Sequence, residues 1–155
     1  MALTEGATLP ALTLTASDGS DLPLKSFVGA PLVLYFYPKD DTPGCTREAQ
    51  DFSAEADAFA ALGAKVVGVS KDTPAKHQKF AAKYDLKVAL ATDAEGEVME
   101  AFGAWVEKSM YGKKYMGIER STYLFDAAGT LVRAWPKVKV PGHAAEVLAA
   151  VRALG

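Results

Sequence analysis

The only cysteine of this 155-residue chain is Cys45, which ends the run Pro38-Lys39-Asp40-Asp41-Thr42-Pro43-Gly44-Cys45. A cysteine does chemistry as its thiolate, and it needs positive potential nearby to reach that state near neutral pH. The run supplies one source of it. Thr42 suits an N-cap and Pro43 the first position of a helix, which makes Cys45 the third helical residue. First-turn N–H groups have no intrahelical partner, and the helix dipole puts partial positive charge there. An N-cap hydroxyl reaches toward the third helical residue, so the Thr42 hydroxyl is expected beside the sulfur. By default a lone cysteine is a small buried hydrophobe. Thr73-Pro74 is a second helix start of the same kind with Lys76 in the cysteine's place, so Thr-Pro alone marks a helix and not a site. What separates Cys45 is its place after a buried strand, where α/β folds gather ligands and chemistry. Asp40, Asp41 and Glu48 would oppose a thiolate unless they turn away or pair with a cation. Spacing leaves both Arg47 and Arg120 open as that cation.

Other chemistries find little support. One cysteine excludes an intrachain disulfide, a CxxC redox pair and a CxxC zinc site. His77 and His143 are the only histidines, too few for a Cys/His metal cage, and neither metal nor cofactor is expected. His77 reads as an exposed residue on a charged helix, and His143, after Pro141-Gly142, as a capping or surface residue. A cysteine phosphatase would carry arginine six residues after its nucleophile, where Asp51 stands. The chain has no asparagine, which a papain-like histidine would want, and no P-loop or GxSxG.

Composition bounds the class. Half the residues are apolar and 23% are charged, enough for a real core and too apolar for disorder. Seventeen basic against 19 acidic residues leave a net charge of -2 and no polybasic field, so nucleic acid is not an expected partner. No apolar run approaches the roughly 20 residues of a membrane span. No basic residue precedes Lys25, so no secretory leader is expected. The chain reads as one domain over 1–155, cytoplasmic, which suits an unpaired thiol.

The elements that must position Cys45 follow from pattern. Residues 12–24 alternate around Asp18-Gly19-Ser20 and predict a hairpin. Residues 32–37 (LVLYFY) are a continuous β-favouring run, hence a central buried strand. After the loop 38–44, Ala49, Phe52, Ala56 and Phe59 make one helical stripe that Gly63 should end. Strands are predicted over 64–70, 88–91, 121–125 and 131–135, and helices over 74–84, 96–102 and 143–154. The stretch 103–119 shows no period and is expected as a long irregular loop. In it Trp105, Tyr111 and Tyr115 would cover the core, and Lys108, Lys113 and Lys114 would form a solvated face. Helix-linked strands imply parallel pairing with right-handed crossovers, and the last strand pair adds an antiparallel edge. The fold class is α/β: a mixed central sheet with helices on both faces, compatible with a thioredoxin-like core behind an N-terminal β-hairpin.

Residues 36–49 (FYPKDDTPGCTREA) resemble the active-site segment of peroxiredoxins, most closely the Q type, also called bacterioferritin comigratory protein. Pro38, Thr42 and Cys45 match PxxxTxxC, and residues 103–108 and 117–126 resemble the same subfamily in order and spacing. The resemblance implies a thioredoxin-like fold and a thiol-dependent peroxidase that reduces hydrogen peroxide or organic hydroperoxides. Cys45 would be the nucleophile, Thr42 the hydroxyl beside it, and Arg120 the guanidinium that holds the thiolate and orients the peroxide. Pro38 would shield the pocket, and Glu48 would hold Arg120. One departure matters. Many members carry a second, resolving cysteine five residues on, where Gln50 stands, or in the following helix, where none is found. A sulfenic acid on Cys45 would then be reduced by an external thiol such as thioredoxin, glutaredoxin with glutathione, or a small thiol. The resemblance also suggests a monomer. A rival reading makes Cys45 a peroxide sensor that signals to a partner without efficient turnover.

Overall fold

The computed structural model describes residues 3–154, so Met1, Ala2 and Gly155, the ends of the expected 1–155 domain, lie outside the described residues. The chain opens with the predicted hairpin, β1 (Thr13–Ala16) and β2 (Asp21–Pro23), followed by a short 3-10 turn at Leu24–Phe27. Then come β3 (Leu32–Phe36), α1 (Pro43–Ala54), α2 (Ala56–Ala61), β4 (Lys65–Ser70), α3 (Pro74–Tyr84), β5 (Ala89–Thr92) and α4 (Glu97–Phe102). The C-terminal part holds β6 (Trp105–Met110), β7 (Lys113–Ile118), β8 (Ser121–Phe125), β9 (Leu131–Trp135) and α5 (His143–Arg152). Among the described residues no helix is long and apolar enough to cross a membrane.

Seven strands form one sheet in the order β2-β1-β5-β4-β3-β8-β9. Strands β3, β4 and β5 are parallel, as helix-linked strands should be, while β8 pairs antiparallel with β3 and β9 with β8. Central β3 is buried at every position, and its side chains alternate between two cores. Leu34 and Phe36 pack toward α4 with Val98, Met99 and Phe102. Val33, Tyr35 and Tyr37 pack toward α1, α3 and α5 with Phe52, Phe80 and Val147. A strand covered on both faces must be apolar throughout, which is why 32–37 reads as an unbroken run. Gly68 on β4 faces Tyr35, and a Cβ there would lie 2.6 Å from the Tyr35 ring, so the ring occupies the space a side chain would take.

Two expectations about elements fail. The stripe at 49–59 does not belong to one helix: Glu55, at φ -99° and ψ 7°, divides it into α1 and α2. Phe52 and Phe59 are a whole two turns apart, so both still face the core across the break. The irregular loop over 103–119 is instead a regular hairpin, β6–β7, paired from Trp105↔Ile118 to Met110↔Lys113. Its two-residue turn, Tyr111-Gly112, has φ of +53° and +78°, the pair of left-handed residues that matches strand twist. Trp105 packs on the core as expected, but Tyr111 is 98% exposed and Tyr115 is also exposed, so neither covers it.

Candidate active site

Strand β3 ends at Phe36, and the chain crosses residues 37–42 before entering α1. Thr42 takes the N-cap conformation, with φ -101° and ψ 155°, and Pro43 opens the helix. Cys45 is therefore in the first turn, and it is only 2% exposed. Strand β8 begins beside the end of β3, with Ser121 paired to Phe36. That register puts Arg120, the residue before β8, next to the head of α1. Its Nη2 donates to Cys45 Sγ at 3.3 Å and its Nη1 donates to Glu48 Oε1 at 2.6 Å. Glu48 stands three residues beyond Cys45, one helical turn on the same face, so one guanidinium spans both. Gly44 makes room for it, since a Cβ there would lie 3.1 Å from Nη2.

Of the two candidate cations, Arg120 reaches the sulfur, while Arg47 pairs on the surface with Asp51 at 3.0 Å. The three acidic neighbours are all accounted for. Glu48 pairs with Arg120. Asp41 turns outward at φ +59°, where Lys83 and Tyr84 bind its carboxylate and hold it below its usual range. Asp40 turns inward, accepts from Tyr37 and meets His77 Nδ1 at 2.7 Å. Burial pushes the Glu48 carboxyl up to about 7 against the opposing pull of Arg120, and its Oε2 has no hydrogen-bond partner. Burial lowers Arg120, but the charges of Glu48 and Cys45 outweigh it and hold the guanidinium above its usual value.

Thr42, expected beside the sulfur, makes a different bond. The Thr42 hydroxyl donates to the Lys39 carbonyl at 2.8 Å and makes no cap bond, so it braces the loop instead of meeting the third helical residue. Pro38 is exposed at the start of the loop. Both histidine expectations are overturned. His77 is fully buried, and the sequence carried a signal for it: His77, Phe80 and Tyr84 lie on one helical stripe. His143 is also buried, with its Nε2 2.8 Å from Thr122 Oγ1, and burial lowers the ring to about 4, so it stays neutral. No group of three or more His, Cys, Asp or Glu able to hold a metal occurs among the described residues.

A buried sulfur facing a guanidinium and the first-turn N–H groups suits attack by a thiolate on a polarised, electron-poor atom. Comparison with known proteins agrees. Residues 6–134 match the AhpC/TSA family. Peroxiredoxin Bcp of Bacillus subtilis is 47% identical over 148 residues, covering 96% of this chain and 94% of that one. A solved structure of Xanthomonas campestris bacterioferritin comigratory protein, studied for alkyl peroxide reduction, superposes with a TM-score of 0.90 at 45% identity, over 97% of this chain and 98% of that one. A mutant PrxQ of Xylella fastidiosa superposes with a TM-score of 0.93 at 38% identity, over 99% and 98% of the two chains. The chain belongs to the AhpC/TSA family as a peroxiredoxin of the Bcp, or Q, type, a thiol-dependent peroxidase with a thioredoxin-like fold.

Proposed function

We propose that Cys45 is the peroxidatic residue and that the chain works by a one-cysteine mechanism on hydrogen peroxide and organic hydroperoxides. The observation that carries this is the bridge from Arg120 to Cys45 Sγ at 3.3 Å and to Glu48 at 2.6 Å. The Cys45 thiolate attacks one peroxide oxygen, the O–O bond breaks, and the departing hydroxide or alkoxide takes a proton to leave as water or alcohol. Arg120 orients the peroxide and stabilises the charge that develops along the O–O axis. Glu48 fixes the guanidinium so that no reorganisation is needed as that charge forms. Thr42 serves through its bond to Lys39, which shapes the loop and leaves the hydroxyl oxygen free to accept. Pro38, on the rim, excludes water when substrate is bound.

The product on the enzyme is a sulfenic acid. No second cysteine exists in the chain to condense with it. An external thiol therefore condenses with it, releasing water and leaving a mixed disulfide. A second thiol then displaces the first as a disulfide and restores Cys45. Thioredoxin, glutaredoxin with glutathione, and small thiols all fit this chemistry. The same reading takes 1–155 as one domain working as a monomer in the cytoplasm. Intact-mass analysis after one equivalent of hydrogen peroxide tests it: one added oxygen is expected, then an adduct with the supplied thiol. A disulfide-linked dimer as the only product refutes it. Peroxide consumption with each thiol system in turn names the reductant, and a reaction no faster than that of free cysteine would favour the sensor reading.

A further inference from the structure

Cys45 opens α1 directly after a loop, and that loop is fastened to α3, a helix that carries none of the residues assigned to the reaction. Asp40 lies in the loop and is 8% exposed; His77 lies on α3 and is fully buried. The Asp40 carboxylate accepts from the Tyr37 hydroxyl through Oδ1 and meets His77 Nδ1 at 2.7 Å through Oδ2. His77 Nε2 meets the Ala91 carbonyl of β5 at 3.0 Å. Both ring nitrogens thus face oxygen partners, and neither polar edge of the ring is left unpaired. The Asp40 backbone N–H donates to Asp72 Oδ2 at 2.8 Å, and Asp72 is itself held by Ser70 Oγ at 2.7 Å. Asp40 is thereby tied through its carboxylate to Tyr37 and to His77 of α3, and through its backbone N–H to Asp72 in the turn between β4 and α3.

A buried polar network has a cost. Ionised or hydrogen-bonding groups removed from water stabilise a fold poorly compared with apolar groups of the same shape, and their return is uniqueness of geometry. Around this network the packing is otherwise apolar, with Tyr37 and Phe80 in the same core. What the network locates is the chain between β3 and α1, two residues before the N-cap Thr42 and five before Cys45.

We propose that Tyr37, Asp40 and His77 are positioning residues: a buried clasp between α3 and the loop before α1 that holds Cys45 in register with Arg120. The proposal rests on Cys45 being the peroxidatic residue. Arg120 immediately precedes β8 and Cys45 sits in the first turn of α1, which the loop leads into, so their 3.3 Å contact depends on both supports. Misplacement of a reacting group by about 1 Å costs on the order of a hundredfold in rate.

Two substitutions divide the histidine's roles. His77→Asn keeps an amide N–H near the position of Nδ1 and can still hold Asp40, but gives up Ala91. His77→Gln keeps a donor near Nε2 for Ala91 and gives up Asp40. Both remove a buried ring, so a merely structural histidine makes them equivalent. The expected result is a reaction with hydrogen peroxide slowed about ten- to hundredfold in His77→Gln and largely recovered in His77→Asn. Val151→Ala, a buried substitution on α5, is the control for lost stability at an unslowed rate. Hydrogen exchange at the loop amides from Asp41 to Thr46 reads the clasp without peroxide chemistry, and should quicken in His77→Gln only. Equal rates and equal exchange in the two His77 variants overturn the clasp, as does a Val151→Ala protein slowed as much as His77→Gln. Exchange that separates the variants in a protein with no fast peroxide reaction keeps the clasp and overturns the peroxidatic role of Cys45.

Discussion

Replacing Arg120 by alanine separates two tasks that the guanidinium performs at once. Toward the sulfur, the loss is a charge-assisted hydrogen bond at a reacting group, about 1.5–3 kcal/mol. That converts to roughly 10- to 150-fold in the rate of the peroxide step. Toward Glu48, a carboxyl with a side chain only 2% exposed loses its partner. Breaking a buried pair costs about 3–5 kcal/mol if the stranded charge stays. Glu48 has a cheaper exit, which is to take up a proton. Burial already raises it from 4.5 to about 7 with Arg120 in place, and removing the cation raises it further. An acid whose folded pKa lies above its unfolded value lends stability that is complete below the unfolded value and lost as pH rises through the folded one. In the parent that loss runs from 4.5 to about 7. In Arg120→Ala it continues above neutrality at up to about 1.4 kcal/mol per pH unit. The stability gap between the two proteins should therefore stay nearly constant below about pH 6 and widen as pH rises through about 7, where the parent's loss ends and the variant's continues. Urea unfolding followed by far-UV circular dichroism across that range measures the gap, and stopped-flow mixing with hydrogen peroxide measures the rate. Adding Glu48→Gln to Arg120→Ala should abolish the widening and leave the rate slow. A gap that stays constant with pH, or a rate restored by Glu48→Gln, refutes the reasoning.

Three further outcomes follow from close contacts and burial. Gly44→Ala puts a Cβ 3.1 Å from Arg120 Nη2, so the guanidinium should shift slightly and its contact with the sulfur be disturbed; a slower peroxide reaction with little change in the unfolding midpoint is expected, and an unchanged rate counts against it. Gly68→Ala drives a Cβ to 2.6 Å from the buried Tyr35 ring. That ring is stacked on Phe52 at 4.8 Å and cannot swing aside, so urea unfolding should show a loss of about 1–3 kcal/mol. His143 is held neutral by burial, from 6.5 down to about 4, so its contribution is complete above 6.5 and lost as pH falls toward 4, opposite in sign to Glu48. His143→Gln should flatten that acid limb, as unfolding at the two ends of the window would show.

Local features were the legible ones. The run at 32–37 declares a strand buried on both faces because no position in it is polar enough for solvent. Thr42-Pro43 and Thr73-Pro74 both open helices as read, since N-cap and proline preferences act within a few residues. The partner of Cys45 was not legible from spacing, because Arg120 lies 75 positions away and only the register of β8 on β3 brings it near; the resemblance to peroxiredoxins named it. The hairpin at 105–118 escaped because much of it faces solvent, so its side chains do not alternate between core and water. Its one local mark was Tyr111-Gly112, a turn in which only the glycine is at ease. His77 reads as exposed in sequence because Lys76 and Lys79 flank it, yet it shares a stripe with Phe80, and helical phase outweighs the character of sequence neighbours. Thr42 met its conformational expectation and missed its chemical one: the backbone caps the helix, while the hydroxyl turns back to Lys39.

The distance in sequence between Cys45 and Arg120 has a consequence for the chain as it is made. Synthesis delivers the cysteine first, and the cation that faces it 75 residues later. Until β8 docks beside β3, the sulfur has no guanidinium, and Glu48 beside it has no counterion. On the proposed mechanism, the cation that arms the thiol toward peroxide arrives only when the sheet closes around it. If Cys45 is the peroxidatic residue proposed above, folding serves as a safety catch: a chain stalled on the ribosome, or one that has lost its tertiary structure, is disarmed, and its thiol is spared the overoxidation that fast reaction without a second cysteine invites.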